Sequence, residues 1–118
     1  MYKKLLVPTD GTELAMRGLD QALALARVLG AEVVILTVTA GMTASNMHQL
    51  GYATRKRFQE QRAVVEETVR KILDTAAEHA QAAGVAHEQV LVENAYTDDA
   101  IVAVAEEHGV DLIVMATH

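Results

Sequence analysis

Four short apolar runs alternate along the chain with three stretches whose apolar residues recur every three or four positions. Leu5-Leu6-Val7 has no polar alternation, which reads as a strand buried on both faces of a parallel sheet. Pro8 is expected to stop it, because proline has no N–H to give a ladder. Asp10-Gly11 then makes a turn, and Thr12 is placed to cap a helix. In that helix Leu19, Ala22, Leu23, Ala26 and Leu29 share one face, and Gly30 stands just past it as a C-cap. Val33 to Val38 is a second buried strand, β-branched and unbroken. Strand, helix and strand form a βαβ unit, for which a right-handed crossover is expected.

Residues Ala40 to Tyr52 are polar and irregular and read as a solvated loop. Its methionines, Met42 and Met47, are candidates for a lip against a ligand or partner. From about Thr54 to Ala83 the spacing predicts the longest helix, with Phe58, Val65, Val69, Ile72, Leu73, Ala76, Ala80 and Ala83 in one stripe. Glu66–Arg70 and Glu67–Lys71 are expected as i,i+4 pairs on its wet face. Arg55-Lys56-Arg57 is a basic run near its start, read as a solvated face. Gly84 ends this helix, and Val90-Leu91-Val92 is a third strand. Thr97-Asp98-Asp99 opens the next helix at the positive end of its dipole. There Ile101, Val104 and Ala105 face the core, and Gly109 closes it. Leu112 to Met115 is the fourth strand, running into Ala116-Thr117-His118. Strands alternating with helices predict an α/β fold: a doubly wound, open, Rossmann-like parallel sheet with helices on both faces. No repeat or linker divides residues 1–118, which read as a single domain.

Composition narrows the function. The chain has 118 residues, 51% of them apolar and 3% aromatic, so its core is aliphatic. Its formal net charge is −6, which argues against nucleic acid as a partner, since phosphate binding wants a basic face. It has no cysteine, hence no thiolate metal site and no cysteine nucleophile. No apolar run reaches the length of a membrane span. Charge and Pro8-Thr9-Asp10 come too early for a signal peptide. A cytoplasmic location is expected.

The turn after the first strand suggests three enzyme chemistries, and each fails on a residue. An aspartyl phosphatase loop of the Asp-x-Asp-Gly-Thr type has Pro8 where its nucleophile belongs, and proline cannot attack phosphorus. A receiver domain needs clustered acids after the first strand and a phosphorylatable Asp after the third. Here only Asp10 stands after the first, and Glu93-Asn94 follows the third. Neither Gly-x-x-x-x-Gly-Lys nor Gly-x-Gly-x-x-Gly is present. What remains is binding. Asp10 can accept hydrogen bonds from a ribose or adenine, and Gly11 with the following helix start offers N–H groups to a phosphate. Alternatively, Asp10 only holds its own turn. His48, His79, His87 and His108 show no metal-ligand spacing and read as surface residues. His118 differs, since it closes the fourth strand's exit. Adjacent acids such as Glu66-Glu67, Asp98-Asp99 and Glu106-Glu107 point apart on a helix and form no catalytic dyad.

The order of these signals resembles the universal stress protein family. The likeness rests on Leu5-Leu6-Val7-Pro8-Thr9-Asp10-Gly11, on Val38 ending the second strand, and on Asp111-Leu112-Ile113-Val114-Met115-Ala116-Thr117-His118. It implies strand order 3-2-1-4, with a fifth strand beyond, and a crevice between Pro8–Gly11 and Met115–His118 where the order reverses. For the nucleotide-binding type the resemblance implies ATP or AMP, with Mg²⁺ as an accompanying ion. It assigns adenine and ribose contacts to Pro8, Thr9, Asp10, Val38 and Met115, and extends the site to Gly11, Ala116, Thr117 and His118. Ala116 stands where the family's phosphate loop has its first glycine. The rest of that loop, the last helix and the fifth strand would follow His118.

Four expectations follow. The function is a stress-response protein binding an adenine nucleotide, without efficient catalysis; slow ATP hydrolysis is the most that is foreseen. The alternative is a non-nucleotide interaction module acting through dimerisation. The partner is a second copy, joined through the C-terminal strand. Without that strand, Leu112 to Ala116 would be a bare sheet edge that invites pairing.

Overall fold

The computed structural model describes residues 2–39, 51–93 and 96–115. Its elements run β1 (Lys4–Pro8), α1 (Glu13–Leu29), β2 (Glu32–Thr39), α2 (Tyr52–Ala83), β3 (His87–Glu93), α3 (Thr97–Glu107) and β4 (Leu112–Ile113). The four strands form one parallel sheet in the order β3-β2-β1-β4. This is the expected α/β architecture, with the order reversing between β1 and β4.

The two faces of the sheet carry separate cores. Leu5, Val7, Val33 and Ile35 pack with Leu19, Ala22, Leu23 and Ala26 of α1 and with Ala76 and Ala80 of α2. On the other face Leu6, Val34 and Leu36 pack with Ile101 and Val104 of α3. Period-two alternation therefore sends neighbouring residues of each central strand to different helices. That is why β1 and β2 read as continuous apolar runs.

Several boundaries differ from the sequence reading. Pro8 is the last residue of β1, level with Leu36, rather than the residue that stops it. Proline lacks only its donor, and pairing resumes at once as Thr9 donates its N–H to the Leu36 carbonyl, 2.8 Å away. β3 is longer than Val90–Val92 and only half-buried, because it is an edge strand. Regular pairing in β4 is limited to Leu112 and Ile113, although Val114 still donates to the Leu6 carbonyl at 2.8 Å. Thr97 does open α3, with Asp98 and Asp99 in its first turn as expected; its N-cap residue is Tyr96, which makes no side-chain capping bond.

The long helix departs most. It starts at Tyr52, and among the described residues of its stripe Val65 is 48% exposed and burial begins at Val69, while the Phe58 side chain lies outside the described residues. Glu66 takes Arg62 at 3.5 Å instead of Arg70. Gly30 and Gly84 close α1 and α2 in the left-handed conformation, as expected. Met42, Met47 and His48 lie outside the described residues.

Candidate functional site

The crevice is built at the C-terminal end of β1, where its neighbours belong to opposite halves of the sheet. The turn that leaves β1 is closed by its own side chains. Thr12 donates to Asp10 Oδ1 twice, from its N–H at 3.0 Å and from its hydroxyl at 2.6 Å. Gly11 N–H donates to Thr9 Oγ1 at 3.3 Å, and Ala15 N–H donates to Thr12 Oγ1 at 3.2 Å, which is the expected cap. The Gly11 and Thr12 N–H groups, read from sequence as phosphate donors, are thus turned toward Thr9 and Asp10. Asp10 does hold its turn, and its side chain remains exposed at the sheet's end.

The register decides which residues meet. Leu6 pairs with Ile113, and the Val114 N–H bond to Leu6 carries the same pairing on, which sets Met115 level with Pro8. Val38 lies two residues past Leu36, the partner of Pro8. It packs on the α3 face with Leu36. Leu112 and Val114 pack on the α1 face, so alternation puts Met115 on the α3 side. Pro8, Val38 and Met115 are therefore collected on one face beside Asp10, and Met115 is 54% exposed there. Thr9 is not with them. Its side chain is 4% exposed, and its hydroxyl reaches Met16 Sδ of α1 at 3.8 Å. Only the backbone of Thr9 borders the crevice. Ala116, Thr117 and His118 lie outside the described residues.

Three features went unread in the sequence. Ile72 of α2 presses on the turn: a Cβ added to Gly11, whose φ is +81°, would come 2.6 Å from Ile72 Cγ1. Beside that contact Gly11, Met16, Thr68, Lys71, Ile72 and Thr75 line a groove of about 200 Å³ between α1 and α2. At the opposite end of the sheet, Asp111 Oδ2 accepts the N–H groups of Lys3 (2.8 Å) and Lys4 (3.0 Å). These two bonds hold its carboxyl below the ordinary carboxylate range. Asp111 N–H in turn donates to the Lys4 carbonyl at 2.9 Å. This clamp fixes the start of β4 against β1, and so sets the register that brings Met115 to Pro8.

The described histidines, His79, His87 and His108, lie at the surface, each beside a partner. His79 Nδ1 lies 2.7 Å from Asp20 Oδ1, joining α1 to α2, and His108 lies 3.6 Å from Glu88. Among the described residues no three histidine or acidic side chains are grouped so as to hold a metal ion. No described helix is long and apolar enough to cross a membrane.

Comparison with known proteins agrees with this fold. The sequence is 34% identical to universal stress protein YxiE of Bacillus subtilis (strain 168), over 99% of this chain and 80% of that protein. A universal stress protein family member from Burkholderia pseudomallei superposes with a TM-score of 0.77 at 31% identity, covering 99% of this chain and 83% of its own. Two further solved structures share the fold. One is a universal stress protein in complex with cAMP (TM-score 0.68, 24% identity, 95% of this chain and 70% of that one). The other is the Archaeoglobus fulgidus protein in complex with dAMP (0.67, 20%, 97% and 80%). The pattern of the universal stress protein family matches residues 1–118. With sheet order, end motifs and relatives all in agreement, the chain belongs to the universal stress protein family.

Proposed function

We propose that this protein binds an adenine nucleotide, ATP or AMP, at the C-terminal ends of β1 and β4 and acts as a cytoplasmic stress-response protein without efficient catalysis. The observation that carries the reading is the gathering of Pro8, Val38 and Met115 on one face of the switch point, beside the exposed carboxylate of Asp10. The residues fit the ligand. Three apolar side chains form a bed for a flat base, while Asp10 accepts from ribose hydroxyls. Two relatives of the same fold were solved with cAMP and with dAMP, which share the adenine. The proposed site comprises Pro8, the Thr9 backbone, Asp10, Gly11, Val38 and Met115, continuing into Ala116, Thr117 and His118. Because the Gly11 and Thr12 N–H groups are already engaged, the phosphates are assigned to the segment after Met115. A Mg²⁺ ion would come with the phosphates, since Asp10 alone cannot cage it. Homodimerisation through a C-terminal strand against the β4 edge belongs to the same proposal.

Titration calorimetry with ATP and with AMP tests the binding. Asp10→Ala is expected to weaken it by about 1–3 kcal/mol, the worth of a charge-assisted hydrogen bond. No heat and no thermal shift at millimolar nucleotide would overturn the reading, and would favour an interaction module that binds no nucleotide.

A further inference from the structure

The chain carries five methionines and no cysteine, so thioethers are its only sulfur targets for an oxidant. Met16 and Met115 are the two that lie among the described residues, and their surroundings differ. Met16 of α1 packs against the core on the α1 face, and its Sδ accepts the Thr9 hydroxyl at 3.8 Å. Met115 is 54% exposed on the α3 face, level with Pro8 at the end of the sheet. It stands past the last regular pair of β4 and belongs to neither core, so the fold does not depend on it. Hydrogen peroxide is smaller than a nucleobase. A side chain on which a base can lie in the open crevice is therefore one that peroxide can reach.

We propose, resting on the nucleotide reading above, that Met115 is an oxidation site and that its sulfoxide weakens nucleotide binding. The chemistry needs only a peroxide. The Met115 sulfur attacks one oxygen of hydrogen peroxide, the O–O bond breaks, a sulfoxide forms and water leaves. The sulfur is oxidised by two electrons, which the peroxide takes up. The product is reversible by methionine sulfoxide reductases, which makes the modification a switch.

The donors around the crevice decide what the new oxygen does there. A sulfoxide oxygen is an acceptor, and covering it with a base without a donor is costly. Pro8 has no N–H to offer. The Thr9 N–H donates to the Leu36 carbonyl at 2.8 Å. The Gly11 N–H is held by Thr9 Oγ1, and both the N–H and the hydroxyl of Thr12 are held by Asp10 Oδ1. Val38 brings a hydrocarbon side chain. The ionised Asp10 carboxylate is itself an acceptor and repels the sulfoxide oxygen. The face of a base has no donor either. The oxidised side chain must therefore keep its oxygen in water, which takes Met115 out of the apolar bed that it forms with Pro8 and Val38.

Treating the protein with hydrogen peroxide, then following it by peptide mass spectrometry and by calorimetry with ATP, tests both halves. Met115 is expected to gain its oxygen at least about threefold faster than Met16, and saturating ATP should slow Met115 and not Met16. Protein sampled before Met16 reacts is expected to bind ATP at least about fivefold more weakly than untreated protein, and methionine sulfoxide reductases should restore the affinity. Met115→Leu, compared with itself before and after peroxide, should show no such loss, which assigns the effect to Met115 rather than to Met1, Met42 or Met47. Oxidation of Met115 no faster than that of Met16 would overturn the proposal. So would an affinity that oxidation leaves unchanged, or a loss that persists in Met115→Leu. The untreated sample separates the two readings: if it gives no heat with ATP, the nucleotide reading falls and this one with it, whereas binding that ignores oxidation overturns this one alone.

Discussion

Replacing Gly11 by alanine tests how α2 and the turn after β1 depend on each other. Two costs are visible. Gly11 has φ +81°, in the left-handed region that a side chain disfavours by about 1–2 kcal/mol. The new Cβ would also lie 2.6 Å from Cγ1 and 3.0 Å from Cδ1 of Ile72, so the helix or the turn must move. Overpacking of this kind costs about 1–3 kcal/mol. Together the substitution is expected to destabilise the fold by about 2–5 kcal/mol, a large share of the stability of a domain this size.

The two costs can be separated. Ile72→Ala removes both offending carbons, so in that background Gly11→Ala should cost only the backbone part, about 1–2 kcal/mol. The double-mutant cycle should therefore show about 1–3 kcal/mol of coupling. Urea unfolding of the four proteins reads it from the midpoints, provided the slopes agree. Additivity within about 0.5 kcal/mol would refute the contact between Ile72 and the turn. If the contact is as described, Gly11→Ala should also weaken nucleotide binding, and Ile72→Ala should recover part of the loss.

Two more predictions concern stability. Thr37 is 2% exposed, and its hydroxyl has no hydrogen-bond partner among the described residues. Thr37→Val is therefore expected to stabilise the protein by about 1–2 kcal/mol in urea unfolding, whereas a loss of more than about 1 kcal/mol would show that the hydroxyl is bonded. For Asp111 the sign follows from its lowered pKa: folding favours the ionised form, so its contribution is present above the unfolded value, near 3.9, and is lost as pH falls through the lower folded value. Asp111→Asn should lower the urea midpoint at neutral pH, and the gap to the native protein should close in strong acid; a gap that does not change with pH would refute the clamp.

Local pattern determined most of the elements. Leu5-Leu6-Val7 is apolar throughout and Val33 to Val38 is broken only by Thr37, a pattern that fits a sheet covered on both faces, and both are central strands. Gly30 and Gly84 stop their helices because the left-handed exit costs glycine nothing. Thr12 and Asp10 bond within four residues of each other, so their capping turn was legible too.

What the sequence left open depends on partners far away in the chain. Helical periodicity names a face for α2 but says nothing of how far the sheet beneath it reaches. The stripe through Val65 therefore read as core, although β3 ends level with Arg62. The side of the sheet taken by Thr9 follows from register with Leu36, and it removes the hydroxyl from the crevice. Asp111 lies more than a hundred residues from the lysine amides it binds, and Ile72 about sixty from Gly11. Spacing cannot reveal such meetings, because they exist only after both faces of the sheet have been covered. They determine which of the crevice residues stand together, while the sequence determined that there would be a crevice at the end of β1.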